Sequence, residues 1–153
     1  MTGEIAETYQ SQAMKQGIER EPIARLEYMA RTGSVVEEVG FMQHDVLLAG
    51  ASLDGIIGVD GTLEIKCPEP SAHIESLRSK SCPPEYVAQI QGGLWISGRQ
   101  YCDFVSWHPS FPERMRIVIR RIPRLEEYIA QLAVEVETFL AEVNRDVKEL
   151  ESL

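Results

Sequence analysis

The stretch that decides the fold is Asp54-Gly55-Ile56-Ile57-Gly58-Val59-Asp60-Gly61-Thr62-Leu63-Glu64-Ile65-Lys66. Leu63 to Lys66 alternate apolar and polar, the period of a half-buried strand. Gly58 and Asp60-Gly61 supply a turn ahead of it, and Ile56-Ile57 form the short apolar run of a hairpin partner. Side chains two apart on a strand leave the same face, so Glu64 and Lys66 project together, and the hairpin brings Asp54 beside them. Hard cations such as Mg²⁺ take oxygen ligands, usually one or two carboxylates, and keep water and phosphate in the remaining positions. An ammonium close by holds a phosphate oxygen or orients water. These parts suit hydrolysis of a phosphodiester at a divalent metal. A plainer reading stands beside this one: a surface hairpin in which Glu64 and Lys66 are a same-face ion pair.

Outward from that stretch, composition narrows the setting. At 153 residues, 44% apolar and 25% charged, the chain suits one compact α+β domain over residues 1–153. No apolar run is long enough to span a bilayer, and Met1 to Gln12 lack the basic start and apolar stretch of a secretory signal. Cys67, Cys82 and Cys102 are scattered without a CxxC pair or zinc spacing, and read as reduced thiols of a cytoplasmic protein. Cys67 pairs with no histidine in the pattern, so burial is its expected fate. The net charge of −9 argues against a nucleic-acid partner until its distribution is read. From Arg124 to Leu153 eight acids oppose three bases, a balance of −5, which leaves −4 on the other 123 residues. Metal binding at Glu21, Asp54 and Glu64 offsets most of that remainder.

The expected order of elements is a helix from about Glu7 to Arg31, strands over Val35–Phe41 and Asp45–Ala51, and then the Asp54 and Glu64 strands. Thr32-Gly33 stops the first helix, and Pro22 implies a break or a second helix starting near Glu21. A short helix runs through Leu77 and another over about Glu85–Ile96. Strands at Tyr101–Trp107 and Met115–Ile122 follow. Leu125 to Leu150 form a long amphipathic helix, with Leu125, Ile129, Leu132, Val136, Phe139, Val143, Val147 and Leu150 on one stripe. Covering one sheet face is its first expected role; an overhanging part suits subunit contacts. Residues 14–123 form the core of the domain and 124–151 the C-terminal helix.

Four blocks occur in order: Gly17-Ile18-Glu19-Arg20-Glu21-Pro22-Ile23-Ala24-Arg25, Ser52-Leu53-Asp54-Gly55, Leu63-Glu64-Ile65-Lys66-Cys67-Pro68, and Tyr86-Val87-Ala88-Gln89-Ile90-Gln91. With the strand around Asp103-Phe104-Val105-Ser106, they resemble the lambda exonuclease (YqaJ-type viral recombinase) family of the PD-(D/E)xK nuclease superfamily. The resemblance runs from about Met14 through the C-terminal helix. It implies a restriction-endonuclease-like core, with a mixed, mostly antiparallel central sheet flanked by helices. It further implies that Asp54, Glu64 and the backbone carbonyl of Ile65 hold Mg²⁺, with Mn²⁺ as a substitute. Glu21 would serve a second ion, and Lys66 would position water and steady the phosphorane. Gln89 and Tyr86 would orient the site or touch the DNA backbone, and Arg25 is a further candidate for DNA contact.

Outside the blocks, Arg114, Arg116 and Arg120 alternate with Met115, Ile117 and Ile119. On a strand this makes either a phosphate-tracking stripe or a solvated face. His44 and His108 read as surface or loop histidines, Trp95 as core, and Trp107 as core with base stacking as the alternative.

The implied activity is a metal-dependent DNA exonuclease of phage recombination type, degrading one strand of duplex DNA from the 5′ end. It leaves a 3′ strand for a single-strand annealing recombinase, and the implied assembly is a homo-oligomer, a trimeric ring. The alternatives are a nuclease of this fold with another end or structure preference, a non-catalytic DNA- or partner-binding remnant, and an assembly role for the acidic C-terminal helix. Members of the family generally carry more chain ahead of the Gly-x-x-x-Glu helix, where the toroidal trimer builds part of its 5′-phosphate pocket. Here about a dozen residues precede the match, with no arginine or lysine before Lys15, and Gln16 replaces the tryptophan often found ahead of the glycine. The expectation is a minimal or trimmed member in which the nuclease core persists without the parts that select the 5′ end.

Overall fold

The computed structural model describes residues 12–152. Helix α1 spans Gln12–Thr32 and is followed by short strands β1 (Val36–Glu37), β2 (Phe41–Gln43), β3 (Gly50–Ser52) and β4 (Gly55–Ile57). Strand β5 (Gly61–Lys66) leads into α2 (Pro70–Arg78), a 3₁₀ turn (Pro84–Tyr86) and α3 (Val87–Ser97). After β6 (Tyr101–Trp107) come a helical turn α4 (Glu113–Arg116), β7 (Ile117–Pro123) and the long α5 (Glu126–Glu151).

Pro22 does not break α1. An interior proline leaves the carbonyl four residues earlier, that of Ile18, without its helical donor, at a cost of about 3 kcal/mol. Tertiary contacts downstream offset it. Ala24 and Tyr28 are fully buried, the Tyr28 hydroxyl donates to Asp103 at 2.7 Å, and Trp107 Nε1 donates to Glu27 at 2.7 Å. The helix stops as its sequence predicts: Gly33 has φ 70° and its N–H bonds the Met29 carbonyl. The expected start near Glu7 lies outside the described residues.

The sheet order is β1-β4-β5-β6-β7. The β5–β6 pair is parallel, with Glu64 opposite Phe104, and every other neighbouring pair is antiparallel. A parallel pair needs a crossover, and α2 with α3 supplies it. The two expected strands before Asp54 are shorter than predicted, and β2 and β3 form a separate ribbon.

The alternation of β5 and β6 divides the core in two. Leu63, Ile65, Val105 and Trp107 pack with Ala24 and Tyr28 under α1. Cys102 and Phe104 pack with Ile90, Leu94 and Ile129 under α3 and α5, and Trp95 is packed against them. Trp107 is therefore core rather than a stacking platform.

Two expectations change here. Met115 and its neighbours are not strand: Pro112 caps the turn α4, the Met115 N–H bonds the Pro112 carbonyl, and His73 Nε2 lies 2.8 Å from the Met115 carbonyl. Arg114 and Arg116 thus sit on a helical turn and only Arg120 on β7, so the three make no stripe. Helix α5 covers the sheet only through its first turns. Ile129 is buried, while Phe139, Val143 and Leu150 of the same stripe are exposed, so much of its length of about 39 Å overhangs.

Candidate active site

Strand β4 begins at Gly55, opposite Leu63, so residues 64–66 of β5 run on without it. Asp54 sits at that vacated edge and its Oδ2 accepts the Ile65 N–H at 2.7 Å. The N–H and C=O of one strand residue point to the same side, so the Ile65 carbonyl is directed toward Asp54, away from β6.

Glu64 and Lys66 face α3, as their period requires. Lys66 Nζ is 2.6 Å from Glu64 Oε1. Gln89, on the first turn of α3, donates to the same Oε1 at 2.7 Å and accepts from Lys66 Nζ at 3.3 Å. The Lys66 ammonium also lies 4.9 Å from the Tyr86 ring, which stacks on Phe104. Glu21 arrives from α1 on the other face, its Oε1 bound by Arg25.

Glu21, Asp54, Glu64, Ile65, Lys66, Tyr86 and Gln89 line one open cleft of about 570 Å³, together with Met14, Gly17, Ile18 and Cys67. The Glu64 carboxyl is pushed up to about 7, by burial first and then by the charge of Asp54, with Lys66 pulling against them and Glu21 adding a smaller push. Burial, and then Asp54, also raise Glu21; burial raises Asp54. Burial opposes the charge of Lys66, but Glu64 and Asp54 overcome it and hold the ammonium above its ordinary value.

This donor set fits a hard cation. Among the described residues each carboxylate gives one oxygen to a protein donor: Glu21 Oε1 to Arg25, Asp54 Oδ2 to the Ile65 N–H, Glu64 Oε1 to Lys66 and Gln89. Among the described residues Glu21 Oε2, Asp54 Oδ1 and Glu64 Oε2 have no protein donor and are not sealed from solvent, since Arg25 Nε alone of the described side-chain atoms is both buried and unpartnered. Three acids, all raised by burial and two of them also by the charge of Asp54, that keep an open oxygen apiece are short of positive charge. No preassembled group of three ligating His, Cys, Asp or Glu side chains occurs among the described residues. A bound ion would have to draw them together.

The remaining candidates are placed as follows. Arg25 is turned inward, 8% exposed, between Glu21 and Glu38, so it neutralises acids rather than facing DNA. Arg120 donates to the Ser79 carbonyl. Cys67 is half-buried at the cleft wall instead of fully buried, with its thiol pushed up to about 11 by burial. His44 caps a loop turn. His108 is also in a loop but is buried beside His73 and Phe111.

Sequence reasoning passed over three buried polar residues. His73 ties α2 to Ser106 and Met115. Gln91 donates to the Pro123 carbonyl and accepts the Leu125 N–H, which joins α3 to the β7–α5 corner. Asp103 accepts from Tyr28 and both arms of Arg121. The second glutamine of Tyr-x-x-Gln-x-Gln was the only signal for Gln91, and the resembling strand the only one for Asp103.

Against known proteins, residues 1–100 match the model of the YqaJ-like viral recombinase domain. No curated protein matches the chain. Among solved structures, an alkaline exonuclease from Laribacter hongkongensis is 40% identical with a TM-score of 0.91, over 95% of this chain and 75% of that one. The same exonuclease in complex with dAMP matches equally. A phage-related exonuclease from Haemophilus somnus 129PT, 13% identical with a TM-score of 0.75 over 95% of this chain and 77% of that one, shares the fold. The ordered motif residues, their convergence on one cleft and a family match over 100 of 153 residues together establish that this chain belongs to the YqaJ-like viral recombinase domain family.

Proposed function

We propose that the protein is a metal-dependent DNA exonuclease of phage recombination type, hydrolysing one strand of duplex DNA from the 5′ end and leaving a 3′ single strand. The observation that carries this reading is the cleft in which Glu21, Asp54 and Glu64 each hold one oxygen open beside the Lys66 ammonium. The family and the 40% identity to an alkaline exonuclease support the substrate class. Asp54, Glu64 and the Ile65 carbonyl would hold Mg²⁺, or Mn²⁺ in its place, and Glu21 a second ion. When bound, such ions would acidify water and stabilise the charge that builds on the phosphodiester during its displacement.

The chain's own residues do the rest. Lys66 stays protonated beside Glu64 and lays its charge against the phosphoryl oxygens as they gain charge. Gln89 binds Glu64 and Lys66 at once, which fixes the aim of both side chains. Tyr86 backs the ammonium with its ring face. No covalent intermediate is invoked: burial holds the Cys67 and Cys102 thiols at about 11 and 12, far from a neutral-pH thiolate.

Linear duplex DNA with or without a 5′-phosphate, incubated in Mg²⁺ and in EDTA, tests the reading. Nucleotide release that needs metal and is lost in Lys66→Ala supports it; no release by wild type, or equal release by the variant, sinks it. The two ends report polarity and distinguish a nuclease of other end preference. A single-strand annealing recombinase is the partner such a 3′ strand serves. A homo-oligomeric ring, the assembly the resemblance implies, is tested by native mass.

A further inference from the structure

Helix α5 carries a second pattern within its apolar stripe. Written in heptads abcdefg, the a and d positions from Leu132 onward are Leu132, Val136, Phe139, Val143, Asp146 and Leu150. Ala133, Leu140 and Val147 then fall at e, and glutamates fill every g position: Glu135, Glu142 and Glu149. The stripe divides in two along the helix. Leu132 and Val136 line a cavity of about 390 Å³ with Trp95 and Ile96 of α3 and Ala49 ahead of β3. Beyond it the same stripe is bare: Phe139 is 62% exposed, Leu150 is 68% exposed, and Val143 is exposed between them. A contiguous exposed apolar surface that continues from a cavity marks a place of contact.

Charge decides between occupants. From Glu135 to Glu151 six acids oppose two bases. Residues at e and g flank the seam of paired helices and set the choice of partner. Two parallel copies of α5 would set each g glutamate against Ala133, Leu140 or Val147, with no ion pair. Asp146, at a d position and 3.8 Å from Arg145, would also meet its own copy across the seam. Antiparallel copies would set glutamate against glutamate. A cationic helix meets none of these conflicts, because lysines or arginines facing the g positions pair with all three glutamates and leave a cation within reach of Asp146.

We propose that the α5 stripe from Leu132 to Leu150 docks an amphipathic helix of another protein. That helix is apolar at its a and d positions and carries lysine or arginine where it meets Glu135, Glu142 and Glu149. One of its apolar side chains enters the cavity at Leu132 and Val136, and the others cover Phe139, Val143 and Leu150. This surface lies on α5 and does not depend on the nuclease reading.

The probes are two labelled synthetic helices of about four heptads, both with leucine at a and d. One carries lysine at e and g, the other glutamate. Fluorescence anisotropy is followed as the whole chain is added. The lysine helix should bind about tenfold more tightly than the glutamate helix, the factor that three exposed ion pairs supply together. Phe139→Asp should weaken the lysine helix about tenfold although it adds an acid. That loss separates docking on the stripe from simple attraction to a chain of net charge −9. Glu135→Lys, Glu142→Lys and Glu149→Lys combined should reverse the preference toward the glutamate helix. All four positions are exposed, so thermal melting of both variants should stay close to wild type. Equal affinity for the two helices, or lysine-helix binding that survives Phe139→Asp, overturns the proposal. Binding of neither helix overturns it as well; if native mass then shows self-association that Phe139→Asp abolishes, the stripe belongs to a second copy of this chain.

Discussion

Two buried carboxylates lie one residue out of step on neighbouring strands, facing opposite sides of the sheet. Asp103 on β6 is 2% exposed and Glu64 on β5 is 4% exposed. Each has an amphipathic or amide partner and a cation, yet they are built differently. Asp103 spends both oxygens, Oδ1 on Arg121 Nε and Oδ2 on the Tyr28 hydroxyl and the second Arg121 arm. Glu64 receives Lys66 and Gln89 on Oε1 and leaves Oε2 to the cleft, where Asp54 and Glu21 add like charge. A closed carboxylate fastens α1 to the sheet. A half-open one among other acids is short of a cation, and that difference separates a brace from a site.

The sharpest way to break this contrast is to neutralise each side. Lys66→Ala or Glu64→Gln should lower the rate of DNA cleavage by roughly 10²–10³-fold and leave thermal melting close to wild type. Asp103→Asn should do the reverse, costing about 2 kcal/mol of stability in chemical denaturation while a folded sample keeps most of its rate. If Asp103→Asn abolishes cleavage without destabilising, the brace assignment is wrong.

The two sides should also respond to pH in different ranges. Glu64 is raised from 4.5 to about 7 in the fold. Its contribution to stability is therefore fully present below 4.5 and is lost as pH rises through about 7, a swing on the order of 3 kcal/mol. Metal-free protein should lose melting temperature across that window; Glu64→Gln should flatten the loss and Mg²⁺ should reverse it. Tyr28, beside Asp103, is raised from 10.0 to about 12 by burial and by its bond to Asp103. Its contribution holds below 10.0 and is lost as pH rises through about 12, so Tyr28→Phe should lower the melting temperature at neutral pH, where the bond to Asp103 is missing, and flatten the further loss on the alkaline limb.

The smallest effect expected concerns Tyr86. Its ring, rather than its hydroxyl, meets Lys66 and Phe104, so Tyr86→Phe should cleave within about twofold of wild type, while Tyr86→Ala should lose roughly 0.5–1 kcal/mol of cation–π support. A large loss in Tyr86→Phe would instead assign the hydroxyl a direct role.

Much of this was readable before any coordinates. The alternation at Leu63–Lys66 placed Glu64 and Lys66 on one face, the Asp-Gly turn residues put Asp54 beside them, and Tyr-x-x-Gln set Gln89 on the covering helix. The misses share a cause: they depend on contacts distant in sequence. Pro22 signals a break locally, but Asp103 and Trp107 hold the helix through Tyr28 and Glu27 from 75 and 80 residues away. Arg114 and Arg116 alternate as on a strand, but Pro112 and His73 set a helical turn. Nothing in a single sequence tells an arginine that pairs inward with two acids, as Arg25 does with Glu21 and Glu38, from one that faces solvent.

The most direct test of the central claim is an anomalous difference map from a crystal soaked in Mn²⁺. The account predicts a peak bonded to Glu64 Oε2, Asp54 Oδ1 and the Ile65 carbonyl, with any second peak beside Glu21 Oε2. A cleft without a peak in a crystal that binds Mn²⁺ elsewhere, or a peak on Asp103, would contradict it.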